Sequence, residues 1–159
     1  MKKHSVGCVL ALLLASWSPL VLTQGAPARP QAAPAGQPAA QGSPDPSQAV
    51  QAAAQVVQLI DQGRPEVTWD NASPVAKQAI TRDTFVTQTK AARARLGNAV
   101  ARDWLSVARQ SSNGANRLPP GNYLSIVFGT TFAKGAAREL VSFHQDSDGQ
   151  WRLAGYSVN

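Results

Sequence analysis

Cysteine is nearly missing from this chain: Cys8 is the only one in 159 residues, so no intrachain disulfide can form and no thiolate set can hold a metal. Histidine is almost as scarce, with His4 and His144 alone, which leaves few side chains able to exchange protons near neutrality. No dense basic block interleaved with aromatics occurs, so nucleic acid is not an expected partner. What is present begins with charge of one sign. Fifteen basic residues stand against nine acidic ones, a net charge of +6, a balance that favours anionic surroundings such as lipid head groups or polyanionic glycans without dictating a fold.

The first residues read as an export signal. Lys2 and Lys3 precede residues 6–22, a stretch without a charge that holds Leu10, Leu12, Leu13, Leu14, Leu20 and Leu22, the layout of a secretory signal peptide. Thr23 and Gly25 supply small residues for cleavage, which puts the mature start near Ala26 and the protein in the periplasm or outside the cell. The competing reading is a retained membrane anchor, but Ser16, Ser18 and Pro19 interrupt a run that is short against the ~20 apolar residues a span requires. Lipid attachment at Cys8 fits poorly, because this cysteine comes before the leucine-rich part of the run. Removing the leader takes away Lys2 and Lys3, leaving thirteen basic and nine acidic residues, a net charge of +4. No stable membrane span is expected after cleavage.

Residues 26–46 are almost wholly Ala, Pro, Gln and Gly. Such a composition buries too little apolar surface to offset the entropy of ordering, so a disordered, extended spacer is expected there. Residues 47–159 then suffice for one domain with one core. Asp45 or Ser47 can cap a first helix in which Val50, Ala53, Ala54, Val57 and Ile60 recur at helical spacing until Gly63. A linking segment over residues 64–72 carries Trp69. Ser73 and Pro74 suit the cap and first turn of a short helix, and Thr81 or Asp83 opens a longer one with Phe85, Thr89, Ala92 and Leu96 on one face and Gly97 at its end. Lys90, Arg93 and Arg95 near that end are explained by the helix dipole.

Beyond Gly97 the period changes from helical to alternating. Val100, Arg102, Trp104 and Ser106 are expected on one face of a strand and Ala101, Asp103, Leu105 and Val107 on the other. Leu124, Ile126, Phe128, Thr130 and Phe132 share one face of a second, and Glu139, Val141 and Phe143 one face of a third, with Arg138, Leu140, Ser142 and His144 opposite. Asp148-Gly149 marks a hairpin into a fourth strand from Trp151 to Val158. Helices first and strands afterwards predict an α+β domain, three helices packed on one face of a four-stranded antiparallel meander.

Asp61-Gln62-Gly63, Trp69, Lys77, Arg93, Leu96-Gly97, Arg102, Gly121-Asn122-Tyr123, Glu139 and the closing run from Asp148 to Tyr156 together resemble the bacterial "domain of unknown function 4019" family. The likeness covers residues 47–158, with Phe85 standing where the family pattern carries a tryptophan. It implies a small exported domain, similar in element order to the cystatin-like group that includes nuclear transport factor 2, with a curved sheet. Members of that wider group often hold a pocket between helices and sheet, and many pair through the sheet, so a homodimer of that kind is an expectation too.

Candidate chemistry is sparse. No catalytic set, cofactor motif or metal site is recognisable: His144 reads as a partly exposed strand-end residue, and Asp146, Asp148 and Gly149 lack calcium-loop spacing. Glu139, Arg102 and Arg152 lie within strands and are expected to meet across the sheet, as a structural pair or as an anion pocket in which Glu139 orients an arginine. Trp69, Tyr123 and Tyr156 add aromatic surface with polar edges. Trp69, Arg102, Tyr123, Glu139, Arg152 and Tyr156 are therefore the candidate ligand-binding residues. The function they suggest is a non-enzymatic exported module that binds a small ligand or an envelope protein. The alternatives are a polyketide-cyclase-like isomerase or hydrolase and an envelope self-association module.

Overall fold

The computed structural model describes residues 44–115 and 118–159. The expected leader with Cys8 and the expected spacer up to residue 43 lie outside the described residues. Within them, helix α1 (Pro46–Asp61) is opened by Asp45, whose carboxylate accepts from the Ser47 N–H at 2.8 Å, with Pro46 in the first turn. Ala49, Ala53, Val57 and Ile60 are its buried residues, so the stripe runs through Ala49 rather than the expected Ala54, which is exposed.

The segment expected to be a linker is a helix, α2 (Pro65–Asp70). Six residues are too few to show a helical period. Pro65 at its first turn and a Thr68 hydroxyl donating to the Pro65 carbonyl at 2.7 Å hold it. Helix α3 (Pro74–Ala79) is capped by Ser73, which accepts from the Val75 N–H at 3.2 Å. The Ser73 N–H donates to the Leu153 carbonyl at 2.8 Å, tying the start of α3 to the sheet. Helix α4 (Arg82–Leu96) begins at a Thr81 cap and stops at Gly97, whose φ of 77° suits glycine. The helices therefore number four among the described residues, not three.

Strands β1 (Ala99–Ser112), β2 (Gly121–Phe132), β3 (Gly135–Gln145) and β4 (Trp151–Val158) form one sheet in chain order, every neighbouring pair antiparallel. This is the α+β architecture that the change of period implied. Leu124, Ile126 and Phe128 of β2 and Val141 and Phe143 of β3 join Ala49, Ala53, Val57, Trp69 and Phe85 of the helices in one apolar core. Strand β1 departs from simple alternation. Its register against β2 shifts between Ala99 and Ala101 and between Trp104 and Ser106, so Val100 and Leu105 are extra residues at bulges. Leu105 consequently turns over Gly129, and a Cβ placed there would lie 3.3 Å from its Cδ1. Trp104 is 59% exposed.

Candidate functional site

At the heart of the helix–sheet seam lies a buried carboxylate. Glu139 of β3 is 0% exposed. It points inward because β3 alternates and Glu139 shares a parity with Val141 and Phe143, the face the helices cover. Both of its oxygens are fully engaged. Oε1 accepts from Arg93 Nη1 at 2.8 Å and from the Tyr156 hydroxyl at 2.7 Å; Oε2 accepts from Arg102 Nε at 2.7 Å and from the Thr130 hydroxyl at 2.5 Å. Asp61 closes the ring, accepting from Arg102 Nη1 at 2.8 Å and Nη2 at 3.1 Å and also from Arg93 Nη2. Arg93 lies over the Phe132 ring, 4.4 Å from its centroid.

Two guanidiniums thus face two carboxylates, a neutral tetrad that joins β1 and β3 to the last turns of α1 and α4 and, through the Thr130 and Tyr156 hydroxyls, β2 and β4 as well. Burial pushes the Glu139 carboxyl up, but hydrogen bonds from Thr130, Tyr156 and Arg102 outweigh it and hold the group below its usual range. Burial and the bond to Glu139 push the Tyr156 phenol well above its ordinary value. Burial works against the Arg102 charge, yet its bonds to Asp61 and Glu139 raise it. A carboxylate ionised this firmly is a poor proton shuttle near neutrality.

Of the six candidates, the structure brings together Arg102, Glu139 and Tyr156. Arg152, expected to share that site, does not reach it. It lies at the hairpin end of β4 and pairs with Asp146 at 2.9 Å and Asp148 at 2.7 Å, holding the Asp148 carboxyl down at about 2. Tyr123 is buried on a different surface, its hydroxyl donating to the Pro119 carbonyl at 2.9 Å and its ring 5.0 Å from that of His144. Trp69 packs on Phe85 with ring centroids 5.3 Å apart. Asp61, Arg93 and Thr130 were not among the candidates. The signal for Arg93 was its spacing, since Phe85, Thr89 and Arg93 continue one inward stripe of α4. For Asp61 it was its position, a negative charge at a helix C-terminus where the dipole disfavours it unless cations compensate.

His144 also differs from expectation, being 8% exposed rather than open to solvent. Its Nδ1 lies 2.9 Å from Asp146 Oδ1 and 3.3 Å from Ser73 Oγ, and Ser73 Oγ donates to the same Asp146 oxygen at 2.5 Å. Serine, histidine and aspartate meet here without forming a nucleophilic relay. That relay needs the serine on one ring nitrogen and the carboxylate on the other, whereas both share Nδ1. Nε2 is buried without a partner and faces Gly121, where a Cβ would come within 2.3 Å of it at a φ of 142°. We expect Gly121→Ala to lower stability by about 2–4 kcal/mol, through strain at a conformation L residues rarely adopt plus displacement of the imidazole. Urea denaturation measures it; a loss under about 0.5 kcal/mol, the range of ordinary surface changes, would show that the contact is not tight.

Beside the tetrad, Asp61 and Arg93 line an open cleft of about 360 Å³ at the ends of α1 and α4, and further openings lie elsewhere along the helices. A groove of about 770 Å³ runs between α1, α2 and the β3–β4 hairpin, with Val56, Leu59, Val67 and Trp151 along it and Lys77 and Asp148 at its rim. A smaller cavity of about 180 Å³ lies between α3, α4 and β4, walled by Trp69, Phe85 and Tyr156. Among the described residues no group of His, Cys, Asp and Glu is arranged to hold a metal ion, and no helix is long and apolar enough to cross a membrane.

Helices on one face of an open antiparallel sheet, locked by a buried ionic tetrad, define the class of domain. The chain belongs to the family described as "Protein of unknown function (DUF4019)", whose model matches residues 52–156 and so contains every member of the tetrad. No curated protein and no solved structure matches it.

Proposed function

We propose that this chain is an exported, non-enzymatic module that binds a small ligand or an envelope protein at the seam between its helices and its sheet. The observation that carries the reading is the closure of the tetrad: Glu139 has both oxygens occupied by side chains of the domain itself, so it is not free to act as acid or base on a substrate. The leader, with its two lysines before an uncharged leucine-rich run, supports delivery to the periplasm or beyond. Mass spectrometry of the mature protein tests the export half and should find an N-terminus near Ala26; an intact leader on cytosolic protein would contradict it. For the other half, wild type and His144→Ala are assayed against a panel of esters and enolisable ketones. No turnover attributable to the protein is expected. Activity that disappears with His144→Ala, while the fold persists, would establish the cyclase- or hydrolase-like alternative instead.

A second reading, self-association through the sheet, is favoured by β1. The exposed large apolar residues of the described chain are Ile80, Val100, Trp104 and Leu105, and three of these four lie within six residues of a strand at the sheet's edge. Long apolar edges invite pairing. Under this reading light scattering finds a dimer at micromolar concentration that Trp104→Ser with Leu105→Ser converts to monomer; a wild-type monomer at that concentration would remove it.

A further inference from the structure

We infer that the 180 Å³ cavity between α3, α4 and β4 is a binding site for a small, uncharged hydrophobic group, an aromatic ring or a branched aliphatic chain. The inference rests on the binding-module reading and names the chemistry of one of its openings. Trp69, Phe85 and Tyr156 form aromatic walls, and Ala72, Ala76 and Ala79 leave the space on the helical side. Every residue lining the cavity is uncharged, and apolar surface predominates over polar.

The Tyr156 hydroxyl beside it is already committed to Glu139 at 2.7 Å. An ionised ligand would enter a lining that offers no counter-charge, which disfavours it. An apolar one exchanges water contact for aromatic faces. The size agrees: an apolar protein cavity of ~150 Å³ stays dry and accepts benzene, so this one suits a group of about six to eight heavy atoms. Entry is available at Ile80, which lines the cavity and is 38% exposed.

Toluene is the probe, titrated into the isotopically labelled domain and followed by NMR. Saturable shifts centred on the Trp69 indole, the Ile80 methyls and the Tyr156 ring are expected. Ala79→Leu should weaken toluene at least tenfold while leaving stability unchanged, because Ala79 is exposed on α3 and leucine suits a helix. Saturable shifts centred instead on Val56, Leu59 and Trp151 would move the ligand to the larger groove, overturning the cavity assignment but keeping the binding module. No saturable shift, or equal affinity in wild type and Ala79→Leu, would overturn the assignment outright.

Discussion

Replacing Glu139 with alanine should destabilise the domain by about 3–5 kcal/mol, because removing one partner of a buried ion pair leaves the opposite charges uncompensated. Arg93 and Arg102 would then face Asp61 alone, and the Thr130 and Tyr156 hydroxyls would lose their acceptor. Domains of this size hold about 5–15 kcal/mol in total, so a large share of the stability is at stake. Thermal denaturation should fall by roughly 12 °C or more at about 4 °C per kcal/mol. A loss below about 1 kcal/mol would mean that the carboxylate is exposed to water in solution.

The same group gives a pH dependence whose sign is fixed. Glu139 and Asp146 are both held below their ordinary values, 4.5 and 3.8, in the folded chain, burial in each case being outweighed by hydrogen bonds. The unfolded chain therefore binds more protons in acid, and the stabilisation is complete above those ordinary values and lost as pH falls through the lower folded ones. Stability should be level from about pH 8 to about pH 5 and then decline. Glu139→Gln should start lower at neutrality and decline less steeply. Parallel curves for the two proteins would show that other carboxylates dominate.

Trp69→Ala carries the second large effect, about 3–5 kcal/mol as for other buried aromatic truncations. Trp69 is 6% exposed and stacks on Phe85, so α2 is joined to α4 through these two rings. Removing the indole takes away the ring contact that joins α2 to α4, besides opening space beside an existing cavity. Urea denaturation should show the midpoint falling with the slope unchanged. An unchanged midpoint would place Trp69 at the surface and remove a wall of the proposed hydrophobic site as well.

Much of this architecture is legible in the residue order. The caps at Asp45, Ser73 and Thr81, the stop at Gly97 and the alternation of Leu124, Ile126 and Phe128 are local signals, and local physics decides them. Less visible are features set by distant packing. Helix α2 is too short to show a period, and the bulges at Val100 and Leu105 break the simple alternation expected of β1. Within the candidate site, Arg102, Glu139 and Tyr156 were found because strand charges and polar aromatics are costly to bury alone. Arg152 was grouped with them only because strand parity does not tell which end of a sheet a side chain reaches. Arg93 sits at the C-terminal end of α4, where the helix dipole already accounts for a cation, and Asp61 meets its two arginines only through contacts distant in sequence. The burial of His144 is not legible locally, because Ser73, which meets its Nδ1, is distant in sequence.

A double-mutant cycle between Glu139→Gln and Arg102→Met, read by urea denaturation at pH 7, is the most direct test of whether the tetrad is a single coupled unit. Coupling of about 1.5–3 kcal/mol is expected for groups in one buried network. Additive losses, with coupling within about 0.5 kcal/mol of zero, would mean that Glu139 and Arg102 act independently. The carboxylate would then be free to serve a ligand or a reaction, contrary to the closed tetrad described above.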